Sequence, residues 1–336
     1  MKHIHLIIPD LFLPQELAAD VCRDLPLPAL EKMLARGVSS GSIRTESSLE
    51  ARLCELFGLP CDSSAPIATI SAGYDGLEDG CWLRADPVHL NFQHDRFILE
   101  NTNIDSEEAS ELCMTLNTHF AADGLEFLAP HPLRWYLRAG ELPAIHTIPL
   151  SKALGRDMRD IMPCGDTAPF WNRVINEIQM LLHAHPVNQA REARRERPVN
   201  SVWLWGRGEA AAMRAVHYDR VSSDDVLPGM FARAAGITGS DWQSQWSDRQ
   251  PGSRQLLVWC GLQNALQQGD VRLWRERLQD FEISYALPLW HALRNGKIAE
   301  LRLEVLGRNL CHSSLRRTDA WTFWRLSKPI EHYSMV

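Results

Sequence analysis

Between His183 and Gly208 the chain concentrates side chains able to hold an anion. His183-Ala-His185-Pro186-Val-Asn188 is followed by Arg191, by Pro198-Val-Asn200 and by Trp203-Leu-Trp205-Gly206-Arg207-Gly208. The Arg191 guanidinium is a planar fork that matches phosphate or carboxylate oxygens, and His185 and Asn188 add hydrogen-bonding groups beside it. Val202 to Trp205 sets four large apolar residues in a row and reads as a buried strand. Gly206 and Gly208 then let the backbone turn sharply or approach a ligand where a Cβ would clash. A strand opening into Gly-x-Gly beside basic residues is an anion-site pattern, although the bare glycine spacing is shared by many unrelated turns.

The elements that position these residues follow from periodicity and punctuation. Residues 4–8 form a first strand that stops at Pro9-Asp10. Leu30 to Arg36 is a short helix closed by Gly37. Ser47-Ser48 precede Leu49, Leu53, Leu56 and Phe57, an apolar stripe that ends at Gly58 and marks a capped amphipathic helix. Ile67 to Ala72 reads as a strand. Val88–Phe92 with Arg96–Leu99, and Leu125–Leu128 with Leu133–Leu137, read as two strand pairs around a helix from Ser106 to Ala121 with Ser106 as its cap. Trp171 to His183 is a periodic helix. Helices then follow at 226–235 and 272–293, the second interrupted at Pro288, with strands at 255–260, 301–306 and 320–326.

The β-β-α-β-β run lacks the long crossovers of a parallel sheet, whereas the flanking sequence has a βα rhythm. The expected fold is therefore α/β, with a core from residues 1–84 and 199–336 split by an inserted α+β domain at 85–198. A chain of 336 residues, 45% hydrophobic and 23% charged, is ample for two such units.

A net charge of −7 provides no bulk field for nucleic acid, so no nucleic-acid partner is expected. The basic run from Arg191 to Arg197 is interrupted by Glu192 and Glu196. The opening apolar run is too short for a leader or a span, and no later segment reaches membrane length, which points to a cytoplasmic protein without a membrane partner. Eight cysteines at 22, 54, 61, 81, 113, 164, 260 and 311 contain no C-x-x-C pair, so they read as buried free thiols.

The order His185-Pro-Val-Asn188, Arg191, Asn200 and then a strand closing on Gly206 and Gly208 resembles a segment of the archaeal-type, cofactor-independent phosphoglycerate mutases of the alkaline phosphatase superfamily. Most of the chain resembles proteobacterial RpfE-type regulatory proteins, which are related to them. The resemblance implies an alkaline-phosphatase-like core sheet flanked by helices. It also implies a phosphoryl-transfer site in which two Mn or Zn ions, held by Asp and His, activate a serine.

Residue by residue, Asp10 matches a metal ligand, with Leu11 where the family has glycine. Leu53-Cys-Glu-Leu56-Phe57-Gly58 matches the end of the nucleophile helix, so Ser48, or Ser47, falls at the nucleophile. Arg84-Ala-Asp86 and Asp95-Arg96 resemble the substrate-binding arginine region. This makes Arg84, Arg96 and Arg134 anion-ligand candidates beside Arg191. His89 and His94, five apart in a strand region, point to opposite faces and do not pair as ligands.

The later metal motifs depart from the family. Leu256-Leu-Val-Trp-Cys260 ends in Gly261-Leu262-Gln263-Asn264, and Leu301–Leu306 ends in Gly307-Arg308-Asn309, where the relatives carry Asp and His. Amides and arginine are poor donors for a dication. His217, Asp219 and Asp224-Asp225 are the substitutes available, with His312 near the final ligand. The leading reading is thus a non-catalytic, regulatory or anionic-metabolite-binding protein that needs no cofactor. An active mutase or phosphoesterase using Asp10 and Ser48, and a scaffold for a protein partner built on its tryptophans, stay open.

Overall fold

The computed structural model describes residues 1–39, 48–59, 66–140, 143–208, 213, 216–307 and 311–335. In chain order its strands are β1 (Lys2–Pro9), β2 (Val38–Ser39), β3 (Trp82–Gln93), β4 (Arg96–Asn101), β5 (Glu126–His131), β6 (Arg134–Arg138), β7 (Ser201–Gly208), β8 (Arg220–Ser223), β9 (Thr238–Asp241), β10 (Arg254–Val258), β11 (Ile298–Leu306) and β12 (Cys311–Arg316). They form two sheets in two compact units, one of Met1–Leu53 with Ala215–Val336, the other Cys54–Arg214.

The first unit holds a seven-stranded sheet in the order β2-β12-β11-β1-β10-β8-β9. From β11 across to β9 the pairings are parallel, and β12 and β2 add antiparallel strands at one edge. Side chains alternate between faces along a strand. On β1, Ile4, Leu6 and Ile8 therefore enter one apolar core with Leu30, Met33, Trp274, Phe281 and Trp290 from the helices Pro28–Arg36, Val271–Phe281 and Leu287–Arg294. His3 and His5 turn to the other face. Pro288 does not break the chain as a helix. Its fixed φ suits the first turn of Leu287–Arg294, which a five-residue π segment, Glu282–Ala286, joins to the preceding helix.

That π segment supports a second helix. Leu27, the N-cap of Pro28–Arg36, makes no side-chain cap bond. The buried Glu282 carboxylate instead accepts from the Ala29 and Leu30 N–H groups at 2.6 and 3.1 Å. It thus satisfies two orphan donors at the positive end of the helix dipole.

The second unit is an antiparallel sheet, β4-β3-β6-β5 with β7 on the other side of β3, packed on the helices Ser106–Phe120 and Ala168–His183. Val202–Trp205 is the buried strand expected, but it pairs with β3 in this sheet rather than with the parallel one. The expected border at 84 falls inside β3 and that at 199 just before β7, whereas the compact units divide after Leu53 and near residue 215.

Three local expectations are corrected. Ile67–Tyr74 is a helix, not a strand, with Ala68 and Ala72 one turn apart against Trp82 and Tyr136; short apolar runs do not distinguish the two periods. Asp105, not Ser106, caps Ser106–Phe120, accepting from the Glu108 N–H at 2.9 Å. Residues 320–326 are not a strand: Asp319–Trp321 is a 3-10 turn, and the residues after it fold into further turns.

Replacing Glu282 with alanine leaves two buried helix donors unpaired. The expected cost is about 2 kcal/mol, seen as a lower urea midpoint with unchanged slope.

Candidate functional site

Parallel pairing brings the carboxyl ends of β1, β8, β10 and β11 to one edge of the sheet, the usual place for a ligand in such folds. Asp10 follows β1 there, its N–H bonded to the Leu306 carbonyl at 2.8 Å and its φ of 56° left-handed, a region that Asp tolerates better than most residues. Its Oδ2 accepts from Gln263 Nε2 at 3.2 Å. Beyond β8, Asp224 Oδ1 accepts from the Cys260 N–H at 2.6 Å, and burial pushes this carboxyl up to about 6. The Cys260 thiol is raised well above its ordinary value by burial first, then by Asp225, Asp224, Glu50 and Asp10. A buried thiol held protonated among carboxylates is an inert one. The described side chains around Cys260 are acidic, the wrong sign for drawing in a phosphate.

Ser48, expected as nucleophile, accepts from the Ala51 N–H at 3.1 Å and so caps the helix Leu49–Leu56. Asp219 lies at the other end of the sheet. Its Oδ2 accepts from the Ser253 N–H and hydroxyl and from the Arg254 N–H at 2.8–2.9 Å. Arg254 pairs with His3, seven residues before Asp10, a distance of roughly 23 Å at 3.3 Å per residue. Asp10 and Asp219 therefore cannot share an ion, and the exposed His217 sits two residues from Asp219. Among the described residues no group of three or more His, Cys, Asp or Glu side chains is placed to hold a metal ion. Ser47, Arg308 and Asn309 lie outside the described residues, as does the side chain of Asn264.

One cluster in this unit was not anticipated. Glu304 on β11 is 5% exposed and gathers Arg52 in a fork at 2.7 and 2.7 Å, His5 Nε2 at 2.9 Å and His312 Nδ1 at 3.0 Å. His5 Nδ1 in turn lies 2.6 Å from the Tyr218 hydroxyl. Burial opposes the Glu304 charge, but His5 and Arg52 outweigh it and hold the carboxyl well below its usual 4.5. Burial and the nearby Glu304 push Tyr218 up to about 12. The signal was present as alternation: His3 and His5 on β1 and Glu300, Arg302 and Glu304 on β11 put polar residues on one face.

In the second unit the expected anion ligands are partnered by the protein itself. Arg84 donates through Nε and Nη2 to Asp86 Oδ1 at 3.0 and 2.6 Å, and its guanidinium lies 5.3 and 5.4 Å from the Tyr136 and Trp205 rings. Trp205 Nε1 donates to the second Asp86 oxygen at 2.7 Å. Burial pushes the Asp86 carboxyl up, with Arg84 opposing it only in part. Arg134 forks onto Asp75 at 2.8 and 2.7 Å, where the Tyr136 hydroxyl also donates at 2.5 Å. Arg191, 3% exposed, is held by Glu108 and by the carbonyls of Asn103 and Arg197. Arg96 is exposed on β4.

His185 caps the helix Pro186–Ala193, accepting the Val187 N–H at Nδ1, while its Nε2 meets the Thr115 hydroxyl at 2.9 Å; burial lowers its pKa and favours the neutral ring. The Asn188 amide bridges the Leu182 and Val199 carbonyls at 2.7 and 2.8 Å. Gly206 has φ +71°, and a Cβ there would come within 3.2 Å of Ile67, so the glycine serves close packing on the helix Ile67–Tyr74. The Gly208 carbonyl accepts from Thr69 Oγ1. A cavity of about 740 Å³ in this unit has a mostly apolar surface, with Arg159, Asn176, Gln179, His183 and Asn200 among its lining, and its arginine is already paired with Asp157.

The sequence profile of 2,3-bisphosphoglycerate-independent phosphoglycerate mutase matches residues 64–188, all within the second unit. A mutase of that description from Methanosarcina barkeri is 29% identical over 175 residues, covering 49% of this chain and 44% of the relative. One from Methanothrix thermoacetophila is 35% identical over 83 residues, covering 23% and 21%. The chain thus spans less than half the length of these relatives. Among solved structures, a Pyrococcus horikoshii protein superposes with TM-score 0.54 at 13% identity, over 95% of this chain and 89% of that one, and shares the fold. The cofactor-independent phosphoglycerate mutase of Thermoplasma acidophilum covers 94% and 90% at 14% identity and TM-score 0.49. The chain is phosphoglycerate-mutase-like over its middle portion, in a mixed α/β fold.

Two outcomes follow. Arg84→Ala leaves the buried Asp86 carboxylate without its cation and should lower stability by about 3 kcal/mol in urea titrations, whereas Arg191→Ala should cost less, because Arg194 still pairs with Glu108. Glu304 gives the opposite pH signature to a raised group: its depressed pKa supplies stability above pH 4.5 that is lost as pH falls below that value. Glu304→Gln should be about 3 kcal/mol less stable at neutral pH and lose less on acidification, read from urea midpoints against pH.

Proposed function

We propose that this phosphoglycerate-mutase-like protein does not transfer phosphoryl groups and acts instead as a regulatory protein of the RpfE type. The observation that carries the reading is the partner of Asp10. The residue matching a metal ligand is hydrogen-bonded to the side-chain amide of Gln263, at a strand end where the mutases are expected to carry Asp or His. An uncharged amide supplies neither the charge nor the donor strength that two dications require. Ser48 as a helix cap and Asp219 at the far end of the sheet support the same reading.

An anionic metabolite was the expected ligand. With Arg84, Arg134 and Arg191 each engaged by a carboxylate, such a ligand would have to compete with Asp86, Asp75 and Glu108.

The test combines metal analysis of the purified chain with interconversion of 3- and 2-phosphoglycerate in the presence of added Mn or Zn. The reading expects no stoichiometric metal and no turnover. Two tightly held ions per chain, with turnover abolished by Asp10→Ala, would establish the enzyme instead.

A further inference from the structure

We propose that the segment Trp321–Leu326 is a docking loop for an anionic lipid bilayer surface. It rests on observations independent of the functional reading above.

Ala320 and Ile330 are each 2% exposed and pin the two ends of the segment. Between them the large apolar side chains face solvent: Trp321 is 54% exposed, Phe323 75%, Trp324 68% and Leu326 81%. Their exposure does not come from a loose chain. Trp321, Thr322, Phe323 and Arg325 donate backbone bonds to Thr318, Asp319, Trp321 and Thr322 at 2.8–3.1 Å. Arg36 Nη1 reaches the Ala320 carbonyl at 2.8 Å, and Arg325 Nη1 reaches the Arg36 carbonyl at 3.1 Å. The aromatics are held outward by turns that cannot rotate them into the core.

Size and charge select the partner. At roughly 200 Å² per aromatic side chain, the three rings expose about 400 Å², the scale of functional patches but about half of what each side of a standard protein interface buries. Residues 316–328 carry Arg316, Arg317, Arg325 and Lys328 against the single carboxylate of Asp319, a local charge of +3 in a chain of −7. Asp319 itself is engaged by the Arg316 N–H at 2.8 Å, and Arg294 adds a cation 4.8 Å from the Trp321 ring.

Trp and Phe projecting among Arg and Lys is the composition that seats at the boundary of headgroups and acyl chains, with the cations drawn to anionic lipid. The contact is peripheral, and no helix among the described residues is long and apolar enough to cross a membrane. It departs from the sequence expectation of no membrane partner, which rested on the lack of spans.

The full chain is tested by co-sedimentation with phosphatidylcholine vesicles, with and without phosphatidylglycerol, and by quenching of tryptophan fluorescence with brominated lipid. Binding is expected only with phosphatidylglycerol and should weaken with salt. Trp321→Ser/Phe323→Ser/Trp324→Ser and, separately, Arg316→Glu/Lys328→Glu should each reduce it roughly tenfold or more, with unchanged circular dichroism. Absence of binding to the anionic vesicles overturns the proposal, as does a triple variant that binds like the wild type. Aromatic-dependent self-association without vesicle binding overturns it in favour of a contact between copies.

Discussion

The polar face of the parallel sheet depends on one buried carboxylate. Glu304 on β11 collects Arg52 from the helix Leu49–Leu56, His5 from β1 and His312 from β12, so four elements distant in sequence meet at a single charge. Out of water, a carboxylate is tolerable only if its lone pairs are filled, and an arginine only if its charge is matched. Each member therefore makes the others possible. The arrangement fixes the register of β1 on β11 more sharply than apolar packing could, because a slip of one residue would send His5 into the hydrophobic face.

The second unit repeats the principle with different chemistry. Arg84 is enclosed between Tyr136 and Trp205, with Asp86 taking its charge and Trp205 closing the remaining carboxylate oxygen. Asp75 does the same for Arg134, and Glu108 for Arg191. Guanidinium groups that could recognise a phosphate thus serve as internal joints. At the strand ends of the first unit the local field is negative, from Asp10, Asp224, Asp225 and Glu50 around Cys260. The profile match to the mutases falls on the unit with the joints, and the strand edge that would have to carry metal chemistry lies outside the residues of that match.

The motif that first suggested an anion site is explained by packing. Gly206 holds a left-handed φ of +71° with the helix Ile67–Tyr74 packed closely on it, and His185 and Asn188 satisfy backbone groups at the ends of adjacent helices. These residue types serve ligand binding and backbone satisfaction equally well, since both need compact donors and acceptors. Spacing along the chain does not separate the two uses.

Local pattern alone determined much of this protein. The first strand, the hairpin 88–99, the helices Ser106–Phe120 and Ala168–His183, and the α/β class with its antiparallel insertion were legible, because alternation and the 3.6-residue period are written in consecutive residues. So was the uncharged run Gly261-Leu262-Gln263-Asn264 after β10, since residue type is written in the sequence itself. Tertiary structure decided the rest. Val202–Trp205 reads as buried in any sheet, and only its pairing with β3 assigned it to the antiparallel one. Arg84 reads as a ligand until Asp86, two residues away on the same strand, is seen to turn to it under Trp205. Asp10 and Asp219 read as partners until β1 and β10 set them at opposite ends of the sheet. The physical reason is common to all three: charge neutralisation and distance are properties of pairs, and the pairs form only when strands remote in sequence are brought side by side.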